Sequence, residues 1–293
     1  MATVRRVTAN GVQLHAELAG EGSSPPLVFL HGWLRSTEEW RRIFPYLSTV
    51  APCVALDLPG FGQSDIPTDA PYDLPYFRDT IIAALDELKL DRVRLVGHGL
   101  GGSIAFAIAL QQPERVVGVV AASPTVRPTP RAGLRASLFV KSPLGRFYFE
   151  HLFNRARLHG LLLATHYHEP LRVTDEVVDP IMRWLERPGA RVAAWRSLVT
   201  DLDTGLGEEI LKLKTPSTII WGYNDKVQPV DVGKQLEKEI EAVSLKQIPN
   251  SGYQTIEDRP ASVCRFLCAR FDLPMPQGVP DGHPTPEEGD YAG

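Results

Sequence analysis

Residues 94–102 read Arg-Leu-Val-Gly-His-Gly-Leu-Gly-Gly, with four glycines in the last six positions. An apolar run of strand length ends in this turn, and a helix-like run from Ser103 to Gln111 follows at once. Glycine at that density marks a corner so tight that strand and helix lie against one another with no room for side chains. A chain with such a corner is expected to be layered, with strands feeding helices across a common sheet. A dinucleotide fold is a poor match. The spacing differs from G-x-G-x-x-G, the turn comes late in the chain, and no suitable acidic residue follows about twenty positions on.

The rest of the chain follows the same rhythm. Val4–Thr8 and Val12–Leu18 read as strands joined by Asn10-Gly11, a strong hairpin signal. Strands follow at Pro26–Leu30, Cys53–Leu58, Val93–Val96 and Val116–Ala121, with helices at Thr37–Leu47 and Tyr76–Leu88 between them. From about Pro124 to Gly207 the pattern is helical and rich in aromatic and aliphatic residues (Phe139, Phe147, Tyr148, Phe149, Phe153, Trp184, Trp195). Alternation resumes with strands at Ser217–Trp221 and Val243–Ile248 and helices at Val232–Ile240 and Ala261–Phe271. The expected architecture is α/β: a mostly parallel eight-stranded sheet, helices on both faces and a helical insertion. Residues 1–123 and 208–272 form the expected core and 124–207 a cap. Residues 273–293, rich in Pro, Gly, Asp and Glu, are an expected disordered tail.

Composition narrows the function. The 293 residues carry a net charge of -4, with no basic face for nucleic acid. No apolar run approaches a membrane span, and no apolar region follows Arg5 and Arg6 as a secretory signal requires. The expectations are a cytoplasmic protein with no nucleic-acid or membrane partner, a small-molecule substrate and a possible homodimer. Cys53, Cys264 and Cys268 make neither a disulfide framework nor a zinc pattern, and Cys264 and Cys268 read as small residues on a buried helix face.

Four motifs stand in order: His31-Gly32-Trp33, Asp57-Leu58-Pro59-Gly60-Phe61-Gly62-Gln63-Ser64, the corner around Gly99, and Trp221-Gly222-Tyr223-Asn224-Asp225. In this order the chain resembles the α/β-hydrolase family, in its capped form that includes esterases, epoxide hydrolases and cofactor-free oxygenases. The resemblance runs from Val4 to Phe271. It implies that the corner is a nucleophile elbow, G-x-S-x-G, which presents one side chain to the active site. Here that position is Gly99, which has no side chain. The family's acid falls on Asp225. The family's histidine falls on Tyr253, within Asn250-Ser251-Gly252-Tyr253-Gln254 and before Glu257-Asp258-Arg259-Pro260. The oxyanion-hole amides fall on Trp33 and Leu100. One missing group could be a laboratory change. Two together read as a natural departure.

Acyl transfer needs a nucleophile and a base, and neither position supplies one. Two backbone amides remain, along with a phenol whose ordinary pKa is about 10 and a carboxylate that can orient it. These parts suit an oxyanion-stabilised reaction with Tyr253 as proton donor: cyclisation, carbon–carbon bond formation or lyase chemistry on a bulky aromatic or polyketide-type natural-product intermediate. A catalytically silent binding protein and a hydrolase that activates water directly are the competing readings. Tyr253 and Asp225 are the expected catalytic residues. His31, Trp33, Gly99, His166, Tyr167 and His168 are the expected substrate contacts. His98, next to the elbow position, reads as a core residue pointing away from Gly99. No cofactor or metal is expected, since His166-Tyr167-His168-Glu169 has metal-like spacing but reads better as the end of a cap helix.

Overall fold

The computed structural model describes residues 2–126, 134–202 and 206–280. A hairpin opens it: strands β1 (Thr3–Ala9) and β2 (Val12–Ala19) pair antiparallel around Asn10-Gly11, with Ala9 opposite Val12. Six parallel strands follow: β3 (Leu27–Leu30), β4 (Cys53–Leu56), β5 (Val93–His98), β6 (Val116–Ala122), β7 (Ser217–Gly222) and β8 (Val243–Ile248). The spatial order is β1-β2-β4-β3-β5-β6-β7-β8. Strands β3, β4 and β7 are buried along their whole length, as expected of parallel strands covered on both faces. The period of two sorts their side chains: Val28 and Leu30 enter the core on one face, while Leu27 and Phe29 enter the core on the other. The expected mixed α/β sheet is therefore present, with β5 near its centre.

Helices α2 (Leu74–Glu87) and α3 (Leu100–Gln111) cover one face. Helix α3 is buried from Leu100 to Ala109, and a Cβ on Gly101 would stand 2.0 Å from the Leu30 carbonyl oxygen. Glycine at 101 is what lets the helix press against β3. The last helix, Pro260–Phe271, packs on the opposite face through Val263, Cys264, Leu267 and Cys268. Burial pushes the Cys264 thiol up to about 12, so it behaves as an inert core residue.

Two boundaries differ from the sequence expectation. The run read as one helix over residues 37–47 is a 3-10 turn at Thr37–Trp40 followed by the short α1 (Phe44–Leu47), which begins around Pro45. Proline has no N–H to continue a helix through that point. In the tail, Leu273 and Val279 pack against the second core. Residues 281–293 lie outside the described residues.

Between β6 and β7 the described residues are helical: α4 (Leu134–Lys141), α5 (Pro143–Phe147), α6 (Arg155–Leu161), α7 (Asp175–Leu185) and α8 (Ala190–Leu202). Helix α7 buries Val177, Val178, Ile181, Trp184 and Leu185, one stripe at helical spacing. Trp184 stacks on Phe61 at 4.9 Å, and its indole N–H donates to the Gly60 carbonyl at 3.0 Å. Trp33 donates likewise to the Ala194 carbonyl at 2.9 Å. Aromatic residues thus tie the inserted helices to the loops at the carboxyl ends of β3 and β4.

Candidate functional site

In a parallel sheet the strand ends gather loops from several elements at one edge, and ligands bind there. Here those loops carry Trp33 after β3, Gly99 after β5, Ser123 after β6, Asp225 after β7 and Tyr253 after β8.

Gly99 takes φ 50° and ψ -115°, a left-handed conformation that costs an ordinary side chain about 1–3 kcal/mol. Its N–H donates to the Ala122 carbonyl at 3.0 Å, and its carbonyl accepts from Ser103 at the first turn of α3. A Cβ on residue 99 would stand 2.0 Å from the Tyr253 hydroxyl oxygen and 3.2 Å from the ring carbon that bears it. Tyr253 therefore fills the space where a side chain on residue 99 would begin, and it is 5% exposed.

The Tyr253 ring lies between two imidazoles. His98 is 4.5 Å away by ring centroids, and His166 meets it edge-on at 5.2 Å. His98 was expected to be a core residue, and it is fully buried. Its Nε2 lies 3.1 Å from the Tyr253 carbonyl and its Nδ1 lies 2.8 Å from Glu39. Burial works against the Glu39 charge, but His98, Arg35 and the Gly32 N–H outweigh it and hold the carboxyl well below its ordinary range. Glu39 also accepts from the Gly32 N–H at 2.8 Å and from the Gln254 amide at 3.1 Å. One carboxylate so fixes the loop of Trp33, the residue before Gly99 and the loop of Tyr253.

Asp225 is buried and accepts three hydrogen bonds at 2.8 Å, from the Ser123 hydroxyl and from the Val227 and Gln228 N–H groups. Burial raises its pKa to about 6 despite those donors, so the carboxyl is mostly ionised at neutral pH. Leu100 is the first residue of α3, where a helix N–H has no acceptor within its own helix. That amide and the amide of Trp33 follow the two tightest turns of the site.

The cap reaches the site through residues 166–168. The His166 carbonyl accepts from the Gln254 N–H at 2.9 Å, and the His168 N–H donates to Asp258 at 3.1 Å. Burial, reinforced by Arg35 and His98, lowers the His166 pKa to about 3, so the ring is neutral above mildly acidic pH.

Two of the expected substrate contacts serve the interior instead. His31 is fully buried: its Nδ1 lies 2.8 Å from the Gly32 carbonyl, and its Nε2 accepts from the Leu58 N–H at 2.9 Å. Both nitrogens are occupied in holding loops, which leaves none for a ligand. The Tyr167 hydroxyl is also buried; it accepts from Arg35 and donates to Glu257, each at 2.7 Å. Arg41 completes this cluster with a 2.7 Å ion pair to Glu257. The sequence reading missed Arg35, Glu39, Gln254 and Glu257. The one local signal was the position of Glu39 beside Trp40 in a short apolar-faced turn. Among the described residues, no three His, Cys, Asp or Glu side chains converge as a metal site.

Comparison with known proteins agrees with this fold. The chain is 27% identical over 270 residues to the uncharacterized hydrolase YugF of Bacillus subtilis, covering 90% of this chain and 96% of that protein. It is 26% identical to the 2-hydroxy-6-oxo-6-phenylhexa-2,4-dienoate hydrolase of Burkholderia cepacia, with 86% and 88% covered. Its backbone superposes on the epoxide hydrolase CorEH with a TM-score of 0.80 at 23% identity, over 93% of this chain and 99% of that one. The sequence profile of the alpha/beta hydrolase fold matches residues 25–260, a span that runs from the strand before Trp33, through the elbow, to the loop of Tyr253. The chain belongs to the alpha/beta hydrolase fold family.

Proposed function

We propose that this family member works without an acyl-enzyme. In this reading the Trp33 and Leu100 amides hold an oxyanion formed on a bulky carbonyl substrate, and Tyr253 supplies the proton that neutralises it. The observation that carries the reading is the Tyr253 hydroxyl, which occupies the volume where a residue-99 side chain would start. Gly99 offers no attacking atom and Tyr253 no imidazole, so the two steps of acyl transfer have no agents. Electrostatics and one movable proton remain. Each amide donor at a developing oxyanion is worth on the order of 3 kcal/mol, and a positioned general acid adds about 10²–10⁴ in rate.

Asp225 supports the phenol. A carboxylate has about four acceptor positions, and Ser123, Val227 and Gln228 fill three. The fourth is the position we assign to the Tyr253 O–H in the resting site, from which the hydroxyl turns to the substrate oxygen. The reaction class that fits is carbon–carbon bond formation, cyclisation or the reverse lyase step through an enolate- or phenolate-like intermediate. The carbonyl oxygen takes up the electron pair as the bond forms or breaks, and Tyr253 then donates to it. Trp33, Phe149 and Phe153 form an aromatic wall under the cap, which suits a large, flat, apolar substrate of aromatic or polyketide type. The name of the Burkholderia relative specifies a phenyl-bearing conjugated oxo-dienoate, a molecule that places negative charge on oxygen in the same way.

That compound is the test. The wild type is expected to bind it and equilibrate the conjugated dienol with its keto tautomer, the Tyr253 proton passing to and from that oxygen while water exchanges the carbon proton, followed by the change of absorbance, with no hydrolysis product. Tyr253→Phe should slow the conversion a hundredfold or more while leaving affinity nearly unchanged. Release of hydrolysis products by the wild type would overturn the reading in favour of activated water. A second reading, a binding protein without turnover, is favoured by how completely Tyr253 fills the elbow. Tight binding with no conversion by either protein would select it.

A further inference from the structure

Five of the ten most exposed large apolar side chains among the described residues fall in fifteen consecutive positions of the cap: Leu138 (60%), Phe139, Leu144 (68%), Phe147 (52%) and Leu152. They lie on α4, on α5 and on the π-helical turn Tyr148–Leu152 that continues α5. The arrangement is two-sided. Leu144, Phe147 and His151 follow one another at intervals of three and four, and the rings of Phe147 and His151 touch at 4.8 Å. On the other side Gly145, Phe149 and Phe153 are buried, and Phe149 meets Trp33 edge-on at 6.0 Å. The segment is thus amphipathic, with its second apolar face turned outward. A soluble monomer rarely leaves so many large apolar groups together at its surface.

The segment that carries them holds more cations than acids. Residues 138–160 hold Lys141, Arg146, Arg155 and Arg157 against a single acid, Glu150, in a chain whose net charge is -4. Arg146 pairs with Glu150, and Arg155 reaches Asp175 and Asp179 on α7. Arg157 stacks on Tyr148 at 5.2 Å and hydrogen-bonds the Leu152 carbonyl, which holds its guanidinium beside the apolar face. Leu and Phe projecting beyond a basic rim is the composition of a helix that lies in a membrane interface.

We propose that the α4–α5 face of the cap is a docking surface for an anionic lipid bilayer, inserting Leu144 and Phe147 among the acyl chains while the basic rim meets the headgroups. Charge complementarity favours this occupant over a second copy of the chain: four Lys and Arg stand against one acid in residues 138–160, so two copies of the segment brought together would carry a net excess of positive charge. Among the described residues no helix is long and apolar enough to cross a membrane. The absence of a membrane partner expected from sequence rested on that criterion, and lying on a bilayer does not require a span. The proposal does not depend on which chemistry the site performs.

The experiment is co-sedimentation of the full chain with vesicles of phosphatidylcholine alone and with about one quarter phosphatidylglycerol. Binding is expected to be about tenfold stronger to the anionic vesicles, to weaken with salt, and to vanish in Leu144→Glu/Phe147→Glu. Both positions are exposed, so the melting temperature of the variant should match the wild type. Phe147→Trp, added to vesicles with brominated acyl chains, should lose its added fluorescence by contact quenching. Equal binding to neutral vesicles, no binding, retention by the double variant or an unquenched tryptophan would each overturn the proposal. So would a concentration-dependent dimer that the same substitutions abolish, which would assign the face to self-association.

Discussion

The Tyr253 hydroxyl stands where a β-carbon on residue 99 would have to go, 2.0 Å from it, so a side chain at 99 requires the phenol to shift. His98 and His166 flank the phenol ring, so it cannot swing aside without leaving both contacts. The two replaced positions are therefore one structural unit.

Gly99→Ala should lower stability by about 2–4 kcal/mol, combining the strain of φ 50° with the overlap at Tyr253. Tyr253→Phe removes the oxygen and should recover about 1 kcal/mol of that loss when combined with it. A double-mutant cycle by urea denaturation measures the coupling, and strictly additive costs would show that the positions do not meet.

Glu39 and Glu38 are neighbours with opposite fates. Glu39 is buried in bonds to His98, Arg35, Gly32 and Gln254, whereas Glu38 is exposed. Glu39→Gln should cost about 3–5 kcal/mol, because it leaves the buried Arg35 guanidinium under-compensated and weakens the bond to His98. Glu38→Gln should stay within about 0.5 kcal/mol of the wild type. Equal effects of the two would remove Glu39 from the organisation of the site.

Tyr167→Phe deletes one hydroxyl that joins Arg35 to Glu257 across the boundary between cap and core. The expected loss is about 1–3 kcal/mol. Hydrogen exchange should accelerate most in residues 162–168. Unchanged protection there would mean that the cap end is held by other contacts.

Stability should respond to pH through Asp225 and His166 with opposite signs. The Asp225 pKa is raised from 3.8 to about 6, so its contribution is complete below 3.8 and is lost as pH rises through about 6. Asp225→Asn should therefore gain on the wild type over that interval. The His166 pKa is lowered from 6.5 to about 3, so its contribution is complete above 6.5 and is lost as pH falls through about 3. His166→Gln should accordingly be less acid-sensitive than the wild type. Thermal melts across pH 3.8–6.5 test both, and parallel curves for all three proteins would exclude the assignments.

The sheet and the elbow were legible because their signals are local. Apolar runs alternate with helical ones, and the glycines around residue 99 leave few other corners available. Tyr253 could be placed from its neighbours, Gly252 before it and Glu257-Asp258-Arg259-Pro260 after it. The buried polar cluster was not legible. Arg35 and Glu257 pair across 222 positions, and no periodicity says which charged residue will be buried. His31 and Tyr167 misled for a related reason. Polar residues inside functional motifs read as ligand contacts, but here their hydrogen bonds satisfy the interior. The burial of His98 was legible, but its partner was not, because Glu39 lies in an element that sequence could not locate against it.

The contact between residues 99 and 253 also sets how this site can change. A serine arriving alone at position 99 would press on the phenol, and a histidine arriving alone at 253 would have no hydroxyl to activate. A triad would need both substitutions together, so each single step toward it would cost stability with no gain in chemistry.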